Sequence, residues 1–336
     1  MNIIKMRDVG KEQWEKYLNE IEGASFAYTA QNAYFQIEYA EHIIANESFI
    51  GIQDNRPLVA ANIYVYEDEK GHRSISWGRR CCPAPIVDQR MDYMQQEKYI
   101  KYAMKEIESI KELYQCEEIY LKFEPIANPH HQCKILNYNY LVKYGYKDTS
   151  SLTQILDLRK STEELERELT QNHRRNIKKV REKFSFEFYD SKNVTEEILQ
   201  LYRSIYEYDA GRVTRNSEMT HHYYQFVKDG NGIVGLVKYG EEYVAVVVCT
   251  MYKNMAYYSS YAEKSDMTDG NAPGHILHWE TIKYLKNKGI DFYEMGEQVF
   301  GDYEKGTEEA KLVNISNFKR GFGGYTVPMF RGIKEY

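Results

Sequence analysis

The most concentrated chemistry in the sequence is a cationic run. His173, Arg174, Arg175, Lys178, Lys179, Arg181 and Lys183 crowd together with only Glu182 opposing them. On a helix, Arg174, Lys178 and Arg181 share one face at spacings of four and three. The whole chain carries a net charge of −6, so it is not a general polyanion binder, and any polyanion has to be held by this local patch. A second cation, Lys319, precedes Gly321, Gly323 and Gly324, and glycines in such a stretch let backbone approach a ligand closely. Lys122-Phe123-Glu124-Pro125 sets a cation and a carboxylate side by side; Glu124 could accept a proton from an amine or orient it. Arg212 and Arg215 could clamp an anion bidentately. Tyr258 and Tyr261 fall on a strand, where strict alternation pairs Tyr258 with Ser260 and Tyr261 with Tyr257 and Ser259 on the other face.

Several chemistries find no support. There is no GxSxG nucleophile turn. The five cysteines (Cys81, Cys82, Cys116, Cys133, Cys249) form no CxxC pair and read as reduced thiols. His275 and His278 stand at helical spacing, but no nearby carboxylate or cysteine pair completes a metal site. The adjacent pairs His130-His131 and His221-His222 face different ways. No metal is expected.

These side chains need elements to position them, and the elements repeat. Residues 49–78 read as a meander of Phe49–Gln53, Leu58–Tyr66 and Arg73–Trp77, followed by a helix from about Met91 to Tyr114 and a strand at Glu118–Phe123. The same order returns with strands at Ile233–Tyr239, Tyr243–Tyr252 and Met255–Tyr261, a helix from about Pro273 to Lys288, and a strand at Asp291–Met295. Two such copies suggest duplication. Between them, Ser161-Thr162-Glu163-Glu164 opens a helix expected to continue to about Lys183. A strand at Phe184–Tyr189 and helices from Thr195 to Tyr208 and Ser217 to Lys228 complete this middle stretch. The 336 residues therefore divide into two domains, each of a size that can bury its own core. The expected division is residues 1–150, rejoined by a C-terminal strand in 325–336, and residues 151–324. The longest apolar run, Val244 to Met251, is far shorter than the roughly 20 residues of a membrane span. The N-terminal MNIIKMRDVGKEQWEKYL has no apolar signal core. A cytoplasmic protein is expected, with any membrane association peripheral, at the inner face.

The order of helices, antiparallel meander, helix and strand resembles the GNAT acetyltransferase superfamily. Two copies in one chain resemble the Fem family, whose members carry amino acids from aminoacyl-tRNA to peptidoglycan precursors. The resemblance rests on Leu152–Arg181 (LTQILDLRKSTEELERELTQNHRRNIKKVR), on HILHWETIKYLKNKGIDFYEMGE, and on NFKRGFGG, where Lys319 matches the lysine of the family's F-K-x-x-F-G pattern. Lys122-Phe123-Glu124-Pro125 matches its basic-x-acidic-Pro motif. The chain departs from the family at Gln31-Asn32-Ala33-Tyr34-Phe35, which no lysine follows; Glu38 and Tyr39 stand there instead.

The fold implied is α/β (α+β): two tandem GNAT-like domains, each a mixed sheet flanked by helices. The activity implied is aminoacyl transfer to an amine with no covalent enzyme intermediate. Lys319 would stabilise the oxyanion or the donor's phosphate, with Glu124, Tyr258 and Tyr261 as further catalytic candidates. Lys122, Tyr208, Arg212 and Arg215 would bind the acceptor. Arg174, Arg175, Lys178, Lys179 and Arg181 would meet the tRNA phosphates. Aminoacyl-tRNA would be a co-substrate, with no resident cofactor, and the acceptor a cell-wall precursor or an amino sugar. The alternative is an acyl-CoA-dependent N-acyltransferase of an amino sugar or polysaccharide precursor. Against it stands Gly270-Asn271-Ala272-Pro273-Gly274-His275: Pro273 removes an N–H donor from the turn that would cradle a CoA pyrophosphate.

Overall fold

The computed structural model describes residues 1–78, 80–128, 133–213 and 216–336. It divides into two compact units, residues 1–151 with 328–336, and residues 152–327.

The first unit is built around the helix Tyr93–Tyr114, which Asp92 caps by accepting the Gln95 N–H. Its inner face buries Ile100, Ala103, Met104, Ile107 and Ile110, as the spacing predicts. The expected strand Leu58–Tyr66 is two strands in different sheets. Arg56–Ala61 joins a four-stranded sheet and Tyr64–Glu67 a larger one. The break falls at Asn62, which is fully buried and turns its side-chain amide to the Ala27 carbonyl at 3.0 Å.

Glu47 is the electrostatic hub of this unit. It is 1 % exposed, accepts from the Tyr114 hydroxyl at 2.8 Å, lies 3.3 Å from Lys5 Nζ, and pairs with the Arg7 guanidinium. Burial pushes its carboxyl up, but Tyr114, Lys5 and Arg7 outweigh that and hold it below the ordinary value. A carboxyl with a depressed folded pKa stabilises above its unfolded pKa, and the benefit is lost as pH falls through the folded value. Glu47→Gln is therefore expected to cost about 3 kcal/mol at neutral pH and much less in acid. Urea unfolding of the first unit at pH 7 and at pH 3 checks this; equal losses at both would contradict it.

The second unit contains one seven-stranded sheet. Its strands in chain order are β1 (Ser151–Asp157), β2 (Phe184–Tyr189), β3 (Gly232–Tyr239), β4 (Glu242–Tyr252), β5 (Met255–Glu263), β6 (Phe292–Gln298) and β7 (Tyr325–Met329). Across the sheet the order is β2-β3-β4-β5-β6-β1-β7. Its helices are α1 (Thr162–Glu168), α2 (Gln171–Val180), α3 (Glu196–Ala210), α4 (Ser217–Lys228), α5 (Gly274–Asn287) and α6 (Glu308–Arg320). Val244 to Cys249 on β4 are buried on both faces, as a central strand covered by helices requires. The single helix expected over residues 161–183 is α1 and α2, because the Thr170 side chain accepts the His173 N–H and caps a new start. Ser161 and Glu164 do form the predicted capping box.

The C-terminal segment differs from expectation. Tyr325–Met329 neighbours β1 in the second unit's sheet, and only Arg331–Glu335 pairs antiparallel with Glu118–Lys122 of the first.

Candidate functional site

Two neighbouring strands of the second unit part company, and the candidate site lies where they do. β5 and β6 run parallel and pair at only three positions, ending at Tyr257 opposite Glu294. Beyond that point β5 continues to Glu263 beside β4, while β6 continues to Gln298 beside β1. A cleft opens between them.

Lys319, at the end of α6, puts its ammonium into this opening. Its Nζ lies 5.4 Å from the Tyr258 ring on β5 and 3.1 Å from where a Cβ on Gly296 of β6 would stand. Gly296 has φ +90°, so glycine serves both the backbone and the lysine. Burial pulls the Lys319 pKa below its ordinary value, and the carboxylates of Glu294 and Glu297 pull it back. Glu294 is held in turn by the Thr153 hydroxyl, which donates to it at 2.8 Å.

Tyr258 and Tyr261 share a face, contrary to strict alternation. Cys249 faces Tyr258 and Val248 faces Ser260, so Ser259 is the extra residue of a bulge. The bulge turns both tyrosines toward His278 of α5, with ring centroids 5.3 and 5.1 Å away, while Ser260 accepts from Tyr202 of α3 at 3.1 Å. The three glycines after Lys319 serve packing rather than a ligand. A Cβ at Gly321 would overlap the His173 ring, one at Gly323 would stand 2.6 Å from Glu168 Cβ, and one at Gly324 would overlap the Ile155 carbonyl.

The N-terminus of α5 is closed by the chain itself. Pro273 is its cap residue. The Glu263 carboxylate stands beside Gly274, 3.6 Å from where a Cβ on that glycine would lie, and accepts from the Tyr261 hydroxyl. Burial pushes the Glu263 carboxyl above its ordinary value.

Residues 167–311, most of the second unit, match the family model described as acetyltransferase (GNAT) domain. Over those residues the second unit is similar to GNAT acetyltransferase domains. No curated protein matches the chain. Among solved structures, FemX superposes with a TM-score of 0.71 at 12% identity, covering 98% of this chain and 97% of FemX. L-PGS from Bacillus licheniformis gives 0.58 at 12% identity, covering 96% of this chain and 91% of that one. A tandem GNAT protein from the clavulanic acid biosynthesis pathway gives 0.51 at 10% identity, covering 99% and 98%. At such identities the likeness is one of fold: the chain carries tandem GNAT-like domains, as its resemblance to the Fem family implies.

Within the second unit the structure brings Lys319, Tyr258 and Tyr261 together, and adds Glu263, His278, Glu294 and Gly296, which sequence reasoning did not select. Tyr208, at the end of α3, is exposed and donates to Asp266 at 2.5 Å. Arg212 follows just past Gly211, which caps α3, and is exposed. Arg215 lies outside the described residues, as does the His130-His131 pair. Arg174, Arg175, Lys178, Lys179 and Arg181 are all exposed, while His173, Ile177 and Val180 hold α2 to the core. Glu124 and Lys122 belong to the first unit, where they pair with each other at 3.1 Å. Glu124 is 9 % exposed. Among the described residues, no group of three or more His, Cys, Asp or Glu side chains could hold a metal, and no helix is long and apolar enough to cross a membrane.

Proposed function

We propose that this acyltransferase moves an aminoacyl group from aminoacyl-tRNA to an amine of a peptidoglycan precursor or related cell-envelope acceptor. The observation that carries the reading is the exposed cationic face of α2, set in the same domain as the Lys319 cleft on a chain of net charge −6. An extended phosphate backbone is the partner such a face fits. The tandem fold shared with FemX, over nearly the whole length of both chains, supports the same class of donor and acceptor.

The chemistry would need no covalent intermediate. A neutral acceptor amine attacks the ester carbonyl of the donor, the C–N bond forms, and negative charge gathers on the carbonyl oxygen. Lys319 would stabilise that oxygen from a largely desolvated position, where a cation acts more strongly than in water. The ester C–O bond then breaks, and the proton lost by the amine ends on the departing ribose oxygen. Tyr258, against which the Lys319 ammonium rests, would fix the lysine in place. Tyr261 would act on the Glu263 side of the cleft.

A second reading has its own support: the family model matched is that of acetyltransferases, whose donor would be an acyl-CoA and whose acceptor would be an amino sugar. Titrating the protein with a mixed pool of aminoacyl-tRNAs, in parallel with acetyl-CoA, separates the two. Retention of one charged tRNA, weakening steeply with salt, is the expected result. Saturable acetyl-CoA binding with no tRNA retention would replace the first reading with the second.

A further inference from the structure

The N-terminus of α5 is where the GNAT domain would be expected to hold a phosphorylated donor. A helix N-terminus offers unpaired N–H groups and a positive dipole end, which together make an anion site. In this chain a carboxyl group already stands at that site. Glu263, the last residue of β5, reaches back to the first turn of α5, where its Oε2 would stand 3.6 Å from a Cβ on Gly274. The Tyr261 hydroxyl donates to the same carboxylate and seats it: a Cβ on Gly274 would stand 2.8 Å from that hydroxyl and 3.6 Å from Glu263 Oε2. Glycine at 274 is thus what lets the tyrosine–glutamate pair sit directly on the helix end. The next turn closes behind it, since Leu277 donates to the Pro273 carbonyl at 2.9 Å, and Pro273 has no N–H to offer.

We propose that Glu263 is a donor-specificity residue: its carboxylate fills the anion site at the head of α5 and excludes donors that present a pyrophosphate there, CoA thioesters above all. This inference rests on the aminoacyl-tRNA reading and explains how a GNAT domain would be closed to CoA while its Lys319 cleft stays open. Two features make the plug specific. Glu263 brings negative charge to the place where a diphosphate's own charge would lie, so repulsion opposes its entry. Asp209 adds a second negative charge close enough to raise the Glu263 carboxyl, so an entering polyanion would meet two carboxylates. Burial opposes the charged form of Glu263, and the Tyr261 hydroxyl that donates to it favours that form.

The test uses the full-length protein with inorganic pyrophosphate and CoA as probes, followed by titration calorimetry, on wild type, Glu263→Gln and Glu263→Ala. Glu263→Gln removes the charge and keeps the shape; Glu263→Ala removes both. Retention of charged tRNA is measured on the same preparations. The wild type is expected to bind neither probe saturably, and the alanine variant to bind pyrophosphate at least ten-fold more tightly, with the glutamine variant between them. Should the alanine variant fold poorly, the glutamine variant carries the comparison, because loss of charge alone predicts a measurable gain. Variants that bind no more pyrophosphate than wild type, while wild type retains charged tRNA, would overturn the role of Glu263 and leave the donor reading standing. A gain of pyrophosphate binding with no tRNA retention would do the reverse. Tight CoA binding by the wild type would remove both.

Discussion

Replacing Lys319 by alanine is expected to lower the turnover of acyl transfer by about 10²–10³-fold, the loss typical of removing one preorganised oxyanion donor, while the acceptor's KM changes little. A group that acts only as charge develops lowers kcat and kcat/KM together. The size of the effect follows from where the ammonium sits. It is half-buried between Tyr258 and Gly296, with Glu294 and Glu297 close enough to favour its charged form, so its field is poorly screened by water. Lys319→Arg should recover only part of the activity. Its planar guanidinium is a poor replacement for a compact ammonium placed 3.1 Å from the position of a Gly296 Cβ. The pH profile supplies a second check. Burial lowers the lysine's pKa, so the charged form is lost as pH rises through a value below that of an ordinary lysine. The wild type should therefore lose activity on the alkaline side earlier than an ordinary lysine would allow, and Lys319→Met, which has no proton to lose, should lack that limb. An alanine variant within two-fold of wild type at matched thermal stability would remove Lys319 from the mechanism.

Much of the framework of this site is written locally. Ile276, Ile282 and Leu285 mark the buried face of α5, and the unbroken apolar run of β4 marks a strand covered on both sides. Helical or strand periodicity needs no partner to be read. What escaped is non-local. The apolar pattern of Leu58–Tyr66 continues through Asn62, and only a carbonyl at Ala27 explains why the chain changes sheet there. The bulge at Ser259 depends on the register with β4, and without it Tyr258 and Tyr261 appear to point apart. Glu263 lies beyond the expected end of its strand at Tyr261, and what it meets is a helix start eleven residues on, across a loop. Thr170 carries a local signal for a helix start, but the charged, helix-favouring runs on either side of it, acidic before and basic after, mask the break. The glycines after Lys319 illustrate the opposite error. They mark close approach correctly, yet what approaches is His173, Glu168 and Ile155.

The other large effect concerns α2. Changing Arg174, Arg175, Lys178 and Lys179 to glutamate together should weaken binding of charged tRNA by roughly 10²-fold or more near physiological salt. It should also flatten the dependence of log affinity on log salt by about 3, at ~0.7–0.9 for each phosphate no longer neutralised. The four side chains are exposed, and the helix is held by the buried His173, Ile177 and Val180 on its opposite face. Folding should therefore survive: His173 Nε2 still donates to the Phe318 carbonyl at 2.9 Å, and its Nδ1 still accepts from the Thr170 hydroxyl at 3.0 Å. These hydrogen bonds also tie α2 to the end of α6 that carries Lys319, so the basic face and the cleft belong to one packed assembly within the domain. A tRNA held by its backbone on α2 would be held by the same helix that buttresses the end of α6 carrying Lys319. The salt slope is the decisive readout, because a fold defect would lower the fraction of binding-competent protein without changing the slope. An unchanged slope in the variant would mean that the phosphates are gripped elsewhere and that the α2 cations are only a solvated face. A slope reduced in proportion to the cations removed, with turnover on a short aminoacyl-nucleotide donor preserved, would separate the tRNA-binding face from the acyl-transfer cleft.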